Sequence, residues 1–140
     1  KDAKGDIWAA SQIMAQSDLA YYSGDDPLNL ALLAVGAIGV VSVTGHVVAD
    51  RHKQMVEAIQ NNDVQTARKI NESLVPITEG IMTRAGGAIM VKASLDLLGR
   101  VGGGSLRLPL VPAASRIAAP LAATPIQKVA MGHSKNCMVS

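Results

Sequence analysis

The chain has 140 residues, a formal net charge of +2, one cysteine, three histidines and no phenylalanine. So small a charge leaves no basic surface for nucleic acid, a single cysteine excludes an internal disulfide scaffold, and three histidines make a structural zinc site an unexpected feature. With 49 % hydrophobic and 17 % charged residues, the chain belongs with sequences that fold, and its length suits one ordinary domain. It opens on Lys1 rather than Met and is expected to be part of a longer protein.

Residues 6–17 carry Ile7, Ala10, Ile13 and Met14 at helical spacing with Trp8 beside them, which predicts a first helix. Leu19-Ala20-Tyr21-Tyr22-Ser23 predicts a short strand closed by Gly24-Asp25-Asp26. Asp26-Pro27 is a helix start, with Asp as N-cap and Pro at the first helical position. The apolar helix predicted over 28–35 ends at Gly36, placed as a left-handed C-cap. Next, Gly39-Val40-Val41-Ser42-Val43-Thr44-Gly45 is β-branched between glycines and predicts a strand buried on both faces. Residues 47–60 are amphipathic, with Val48, Met55 and Ile59 inward and Arg51, His52 and Lys53 outward. Asn62-Asp63 caps a further helix in which Ala67, Ile70, Leu74, Ile77 and Ile81 share one face, and Pro76 is expected to kink it. A last helix is predicted over 88–98, stopped by Gly99. After Arg107-Leu108-Pro109 the chain becomes Ala/Pro-rich and loses periodicity.

A membrane span competes with part of this reading. From Leu28 to Ala49 no Lys, Arg, Asp or Glu occurs, and a span takes about 20 residues. Asn29, Ser42, Thr44 and His46, with glycines at 36, 39 and 45, divide the run into pieces. A buried helix followed by a buried strand explains the same hydropathy and is preferred. No signal-peptide pattern precedes it.

The first sixty residues thus alternate helix, strand, helix, strand, helix, and the remainder reads as helices. Alternation implies parallel strands with crossover helices, in either a doubly wound sheet or a β/α barrel. A complete barrel needs roughly 250 residues, so a barrel would lie mostly upstream of Lys1.

Five blocks carry a resemblance. Lys1-Asp2-Ala3-Lys4-Gly5-Asp6, Tyr22-Ser23-Gly24-Asp25-Asp26 and Gly36-Ala37-Ile38-Gly39-Val40-Val41-Ser42-Val43 come first. Val91-Lys92-Ala93 with Leu98-Gly99, and Leu106-Arg107-Leu108-Pro109, follow in register. From Lys1 to about Pro112 the chain resembles the 4-hydroxy-tetrahydrodipicolinate synthase (dihydrodipicolinate synthase) family. The resemblance implies an α/β fold, the C-terminal portion of a (β/α)8 TIM barrel followed by a small all-helical C-terminal domain. Residues 1–62 would run from the end of the sixth strand to the eighth helix, with 19–23 and 39–44 as the seventh and eighth strands. Residues 63–140 would be the helical domain with an irregular tail. It further implies a cytoplasmic homotetramer that condenses pyruvate with aspartate 4-semialdehyde in lysine and diaminopimelate biosynthesis. The implied partners are these small substrates, with no nucleic acid, membrane, metal or cofactor.

Within that family pattern, Lys1 matches the Schiff-base lysine and Gly24 the glycine whose backbone closes on the pyruvate carboxylate. Val41 stands where the family usually has an isoleucine whose main chain lines the pyruvate pocket. All three fall at the C-terminal ends of strands, where barrel enzymes keep their sites. Imine formation needs a neutral amine, whereas a free lysine titrates near about 10.4; burial in an apolar barrel mouth lowers that value. Asp25 and Asp26 read as residues that cap and orient their loop, Tyr21 and Tyr22 as packing, and Lys92 as serving the helical domain. Lys4 stands at a family Thr or Ser, and His46 at a family asparagine on the pocket edge. The family's carboxylate-binding threonines, catalytic tyrosines, semialdehyde-binding arginine and lysine-feedback site all precede Lys1, so the 140 residues alone are expected to be inactive.

Two rivals stand beside the synthase. One is another pyruvate-dependent class I aldolase such as an N-acetylneuraminate lyase-like enzyme, against which Ser23-Gly24-Asp25-Asp26 and Val40-Val41-Ser42-Val43 weigh. The other is a non-catalytic remnant or assembly partner. Three smaller motifs read as chance: Cys137-Met138-Val139-Ser140 has a prenylation form, His133 and Cys137 could share a metal, and Asn71-Glu72-Ser73 has a glycosylation form inside a helix.

Overall fold

The computed structural model describes residues 1–114. The terminal prenylation motif and the His133/Cys137 pair lie outside them. In chain order the elements are α1 (Ile7–Ala15), β1 (Tyr22–Ser23), a 3-10 turn (Asp26–Leu28), α2 (Asn29–Ala34), β2 (Gly39–Val40), α3 (Gly45–Gln60), α4 (Val64–Met82) and α5 (Gly87–Leu97). The chain divides into two compact units. One comprises residues 1–45 and 49–75, the other, among the described residues, 46–48 and 76–114.

The first unit holds the strands. β1 and β2 pair in parallel with Tyr22 opposite Gly39 and Ser23 opposite Val40, and Asp2 makes a further parallel bridge to Ser23. α1 starts where expected, because the Asp6 carboxylate accepts the Ala9 amide at 2.9 Å. Its apolar stripe is less buried than predicted: Ala10 is fully buried, but Trp8 is 73 % exposed and Ile13 is exposed too. α2 packs on α1 and β1 and buries Leu32 and Leu33. It ends at Gly36, whose φ of +118° only glycine adopts without strain. There the Gly36 amide donates to Leu33 O and the Ala37 amide to Leu32 O, the paired bonds of a Schellman ending.

Both strands are shorter than predicted. Residues 19–21 add only the Tyr21 carbonyl, which accepts the Ile38 amide at 2.9 Å. The second strand ends soon after Val40: the Val41 amide still donates to Ser23 O, but from Val43 on the amides find side-chain acceptors instead of a ladder. Val43 and Thr44 donate to the Asp26 carboxylate and Gly45 to Ser42 Oγ. The predicted burial of this segment on both faces also fails, since Val41 is 49 % exposed.

α3 is the predicted helix with errors of facing. Of the three residues expected outward only Lys53 is exposed: Arg51 is half-buried against Ser73 and His52 is buried, at 4 % exposure. The register explains the latter: His52 lies three residues before the buried Met55, so the two share one stripe. α3 also contains a break at Val48 (φ −131°, ψ 40°) that no proline or glycine signals. Asn62, at φ 59°, closes α3, and Asp63 then accepts the Thr66 amide at 3.0 Å to open α4. α4 continues across Pro76 to Met82.

In the second unit Ile77, Ile81, Met90 and Val91 are buried, each side chain worth about 1.5–3 kcal/mol for leaving water. Lys92 Nζ donates to Ser105 O and Arg100 to Val47 O, both ties within this unit. Residues 98–114 follow α5 as turns and irregular backbone. The expected all-helical C-terminal domain is therefore helical over α4 and α5 and not over 98–114. Among the described residues no helix is long and apolar enough to cross a membrane.

Candidate active site

Parallel pairing aligns three chain segments so that Lys1-Asp2, Gly24 and Val41 lie at neighbouring strand ends. The Asp2 amide donates to Tyr22 O at 2.9 Å, and the Gly24 amide donates to Asp2 O at 2.6 Å. The Val41 amide donates to Ser23 O at 2.7 Å. Gly24 is the point of closest approach. A Cβ there would stand 2.6 Å from Lys1 Cγ and 2.8 Å from the Asp2 carbonyl oxygen, and would overlap Lys1 Cε as well. Only glycine lets the Lys1 side chain lie across the β1 end, so the structure brings Lys1 and Gly24 together. Lys1 is exposed among the described residues, where burial in a barrel mouth is the expectation; three strand segments form one sector of wall and enclose nothing.

Asp2, next to Lys1, is held from the side. Tyr21 Oη donates to its carboxylate, and the Lys4 amide donates to Oδ1 at 2.6 Å. The Tyr21 bond, with the Lys4 amide behind it, lowers the Asp2 pKa. The same bond, strengthened by partial burial, pushes the Tyr21 phenol up to about 12. Tyr21 thus does more than pack. Tyr22 lies against Gly39, in keeping with the packing role predicted for it.

A second cluster sits behind the strand ends. Asp26, 5 % exposed, accepts four hydrogen bonds. The Val43 and Thr44 amides reach Oδ2 at 2.9 Å each, Asn29 Nδ2 reaches Oδ1 at 3.0 Å, and Ser42 Oγ also donates to Oδ1. One carboxylate on the loop after β1 therefore fixes the loop after β2 and is not the helix N-cap predicted for it: Asp26 is itself the first residue of the 3-10 turn, preceded by Asp25 at the cap position, and its carboxylate is taken by the distant amides. Ser23 Oγ donates to Asn29 Oδ1 at 2.6 Å and ties β1 into the cluster.

His52 joins from α3. Its Nε2 lies 2.8 Å from Thr44 Oγ1, 3.2 Å from Ser42 Oγ and 3.9 Å from Asp26 Oδ1, while its buried Nδ1 has no partner among the described residues. One proton arrangement satisfies every donor. Nε2–H donates to Thr44, Thr44 donates to Ser42 across 3.2 Å, Ser42 donates to Asp26, and Ser42 also accepts the Gly45 amide at 2.7 Å. Nδ1 then carries a lone pair, which is cheaper to leave unpaired in the interior than an N–H. Burial lowers the His52 pKa, and the nearby Asp26 charge only partly opposes it. Sequence reasoning missed this cluster except for Asp26. The inward register of His52 was the available signal.

An open groove of about 490 Å³ runs between β2 and α3, lined by Tyr22, Val40, Ser42, Ala49, His52 and Gln60 among others. Lys1, Gly24 and Val41 are not in its walls. His46 is exposed on the first turn of α3, and Lys4 pairs with Asp6 at 3.4 Å on the surface. Asn71 lies within α4, where Ser73 Oγ donates to Ile70 O and accepts Arg51 Nη2 at 3.0 Å, so the glycosylation form belongs to helix packing. Among the described residues no group of three or more His, Cys, Asp or Glu converges as a metal site would require.

Residues 1–127 match the model of the dihydrodipicolinate synthetase family. The chain belongs to that family. A 4-hydroxy-tetrahydrodipicolinate synthase of Kineococcus radiotolerans is 50 % identical over 123 residues, covering 88 % of this chain and 40 % of its own length. A second synthase, from Streptomyces coelicolor, is 51 % identical over 111 residues, 79 % of this chain and 36 % of its own. Among solved structures, dihydrodipicolinate synthase of Bacillus anthracis matches with a TM-score of 0.82 at 36 % identity, over 91 % of this chain and 43 % of that one. The chain thus spans about 40 % of the length of the curated relatives it matches. Its fold is a sector of the barrel built by the dihydrodipicolinate synthases.

Proposed function

We propose that this chain is the C-terminal part of a Schiff-base lyase that condenses pyruvate with aspartate 4-semialdehyde for lysine and diaminopimelate biosynthesis. Residues 1–62 complete the barrel and residues 63–140 form the domain that follows it. What supports this reading is the Lys1 side chain lying across Gly24 at the end of a parallel strand, in a chain whose relatives are synthases by name. In the proposed reaction the Lys1 ε-amine attacks the keto carbon of pyruvate, the keto oxygen leaves as water, and an imine forms. The imine then draws electrons from the pyruvate methyl, which loses a proton and attacks the aldehyde carbon of the second substrate. Gly24 gives the carboxylate room beside the lysine, and the Val41 main chain lines the pocket. The intact enzyme works as a cytoplasmic homotetramer on small molecules, with the covalent imine in place of any cofactor.

The test is borohydride reduction of the source protein in the presence of pyruvate, followed by peptide mapping. The expected result is one pyruvate-derived adduct, located on Lys1. No adduct, or an adduct on another lysine alone, overturns the reading.

A further inference from the structure

We propose that His52 is a positioning residue that, through Thr44 and Ser42, holds the main chain over residues 41–44 in the shape that lines the pyruvate pocket. The proposal rests on the imine reading above for its functional consequence, and on geometry for its structural part. The loop after β2 has almost no ladder of its own. Its amides are held by Asp26, and the Ser42 hydroxyl that bonds Asp26 is in turn held by Thr44 and His52. His52 is the member of this set that comes from a long helix, so it references the loop to a rigid element, while Asp26 references the same loop to the one carrying Gly24. Two substrate-facing segments are thereby locked to each other and to α3.

The lock has a defined proton dependence. With the arrangement that satisfies every donor, a proton added to His52 goes to Nδ1, which has no acceptor among the described residues. The charged groups near the ring are few. Asp26 faces it from the 3-10 turn at 3.9 Å, and Lys53 and Glu57 of its own helix line the same groove and pair with each other at 3.6 Å. Tyr22 is the titratable side chain that β1 brings to the groove, and Asn29 of α2 bonds Asp26 without titrating. Protonation therefore strains the loop instead of tightening it.

The experiment uses the source protein and two variants, H52Q and H52L, with the pyruvate concentration for half-maximal borohydride trapping read between pH 5 and pH 8. At pH 7.5 H52L is expected to raise that concentration roughly tenfold, the worth of one hydrogen bond, while H52Q, which can still bond Thr44, stays within about threefold. As pH falls through the lowered folded-state pKa of His52, wild type is expected to weaken further relative to H52Q, because glutamine does not titrate. Equal half-saturation and superimposable pH profiles in all three proteins overturn the proposal. Exchange of the Val43 and Thr44 amides separates it from the imine reading. If wild type traps no pyruvate, that reading falls, and roughly tenfold faster exchange in H52L still upholds the loop lock. Unchanged exchange refutes the lock whether or not pyruvate is trapped.

Discussion

Replacing Asp26 by alanine should cost more than any other single loop substitution in the first unit. The Val43 and Thr44 amides each lose a charged acceptor at 2.9 Å, and Asn29 and Ser42 lose theirs beside them. A hydrogen bond to a charged group contributes about 1.5–3 kcal/mol, and a buried donor left unpaired costs a similar amount. Counting the two backbone amides alone gives roughly 3–6 kcal/mol. Water entering the space vacated by the carboxylate moves the result toward the lower figure. Asp26→Asn keeps one carbonyl oxygen and loses the charge, which predicts a milder loss of about 1–2 kcal/mol. Urea unfolding of the source protein measures this, with stability taken from the midpoint at unchanged slope. Asp25 is the internal control. It precedes Asp26, makes no side-chain capping bond, and should change stability by no more than about 0.5 kcal/mol when replaced by alanine. If D26A and D25A unfold at the same urea concentration, the claim that one carboxylate holds the loop after β2 is wrong.

Three further outcomes follow from the same geometry. Gly24→Ala places a methyl 2.8 Å from the Asp2 carbonyl oxygen and against Lys1; it should destabilise by about 1–3 kcal/mol and reduce pyruvate trapping at Lys1, both measurable on one preparation. Spectrophotometric titration should find a phenol ionising near pH 12, and Tyr21→Phe should remove that step and raise the Asp2 pKa. The buried His52 has a folded-state pKa below its unfolded value of 6.5, so the unfolded chain binds more protons in the interval between them. Its contribution to stability is complete above pH 6.5 and is lost as pH falls through the folded value. Unfolding free energies at pH 7.5 and pH 5 should therefore differ more in wild type than in H52Q.

Three helix boundaries were legible because they carry their own chemistry. Asp6, Asp63 and Gly36 cap or close their helices as the sequence reading had them. The strands were legible in place but not in length. A run of β-branched residues from Val40 to Thr44 has strand propensity throughout, and nothing local reveals that a carboxylate from residue 26 will take the amides of residues 43 and 44. Propensity yields to a distant acceptor there. His52 is polar but stands one turn from the buried Met55, and position, not polarity, decides its facing. The proximity of Lys1 and Gly24 came from motif resemblance, since no periodicity reports that two residues so far apart in the chain will touch.

The outer sides of the small sheet have a consequence for engineering. Among the described residues no strand flanks Asp2 or β2 on its far side, so each presents unpaired main-chain groups at a register that Tyr22–Gly39 pairing already sets. Such edges template whatever strand arrives. A separately produced polypeptide bearing the complementary strands would find both ends of its docking frame prepared. Mixing the chain with such a polypeptide would convert strand pairing into a signal for whether two fused partners have met.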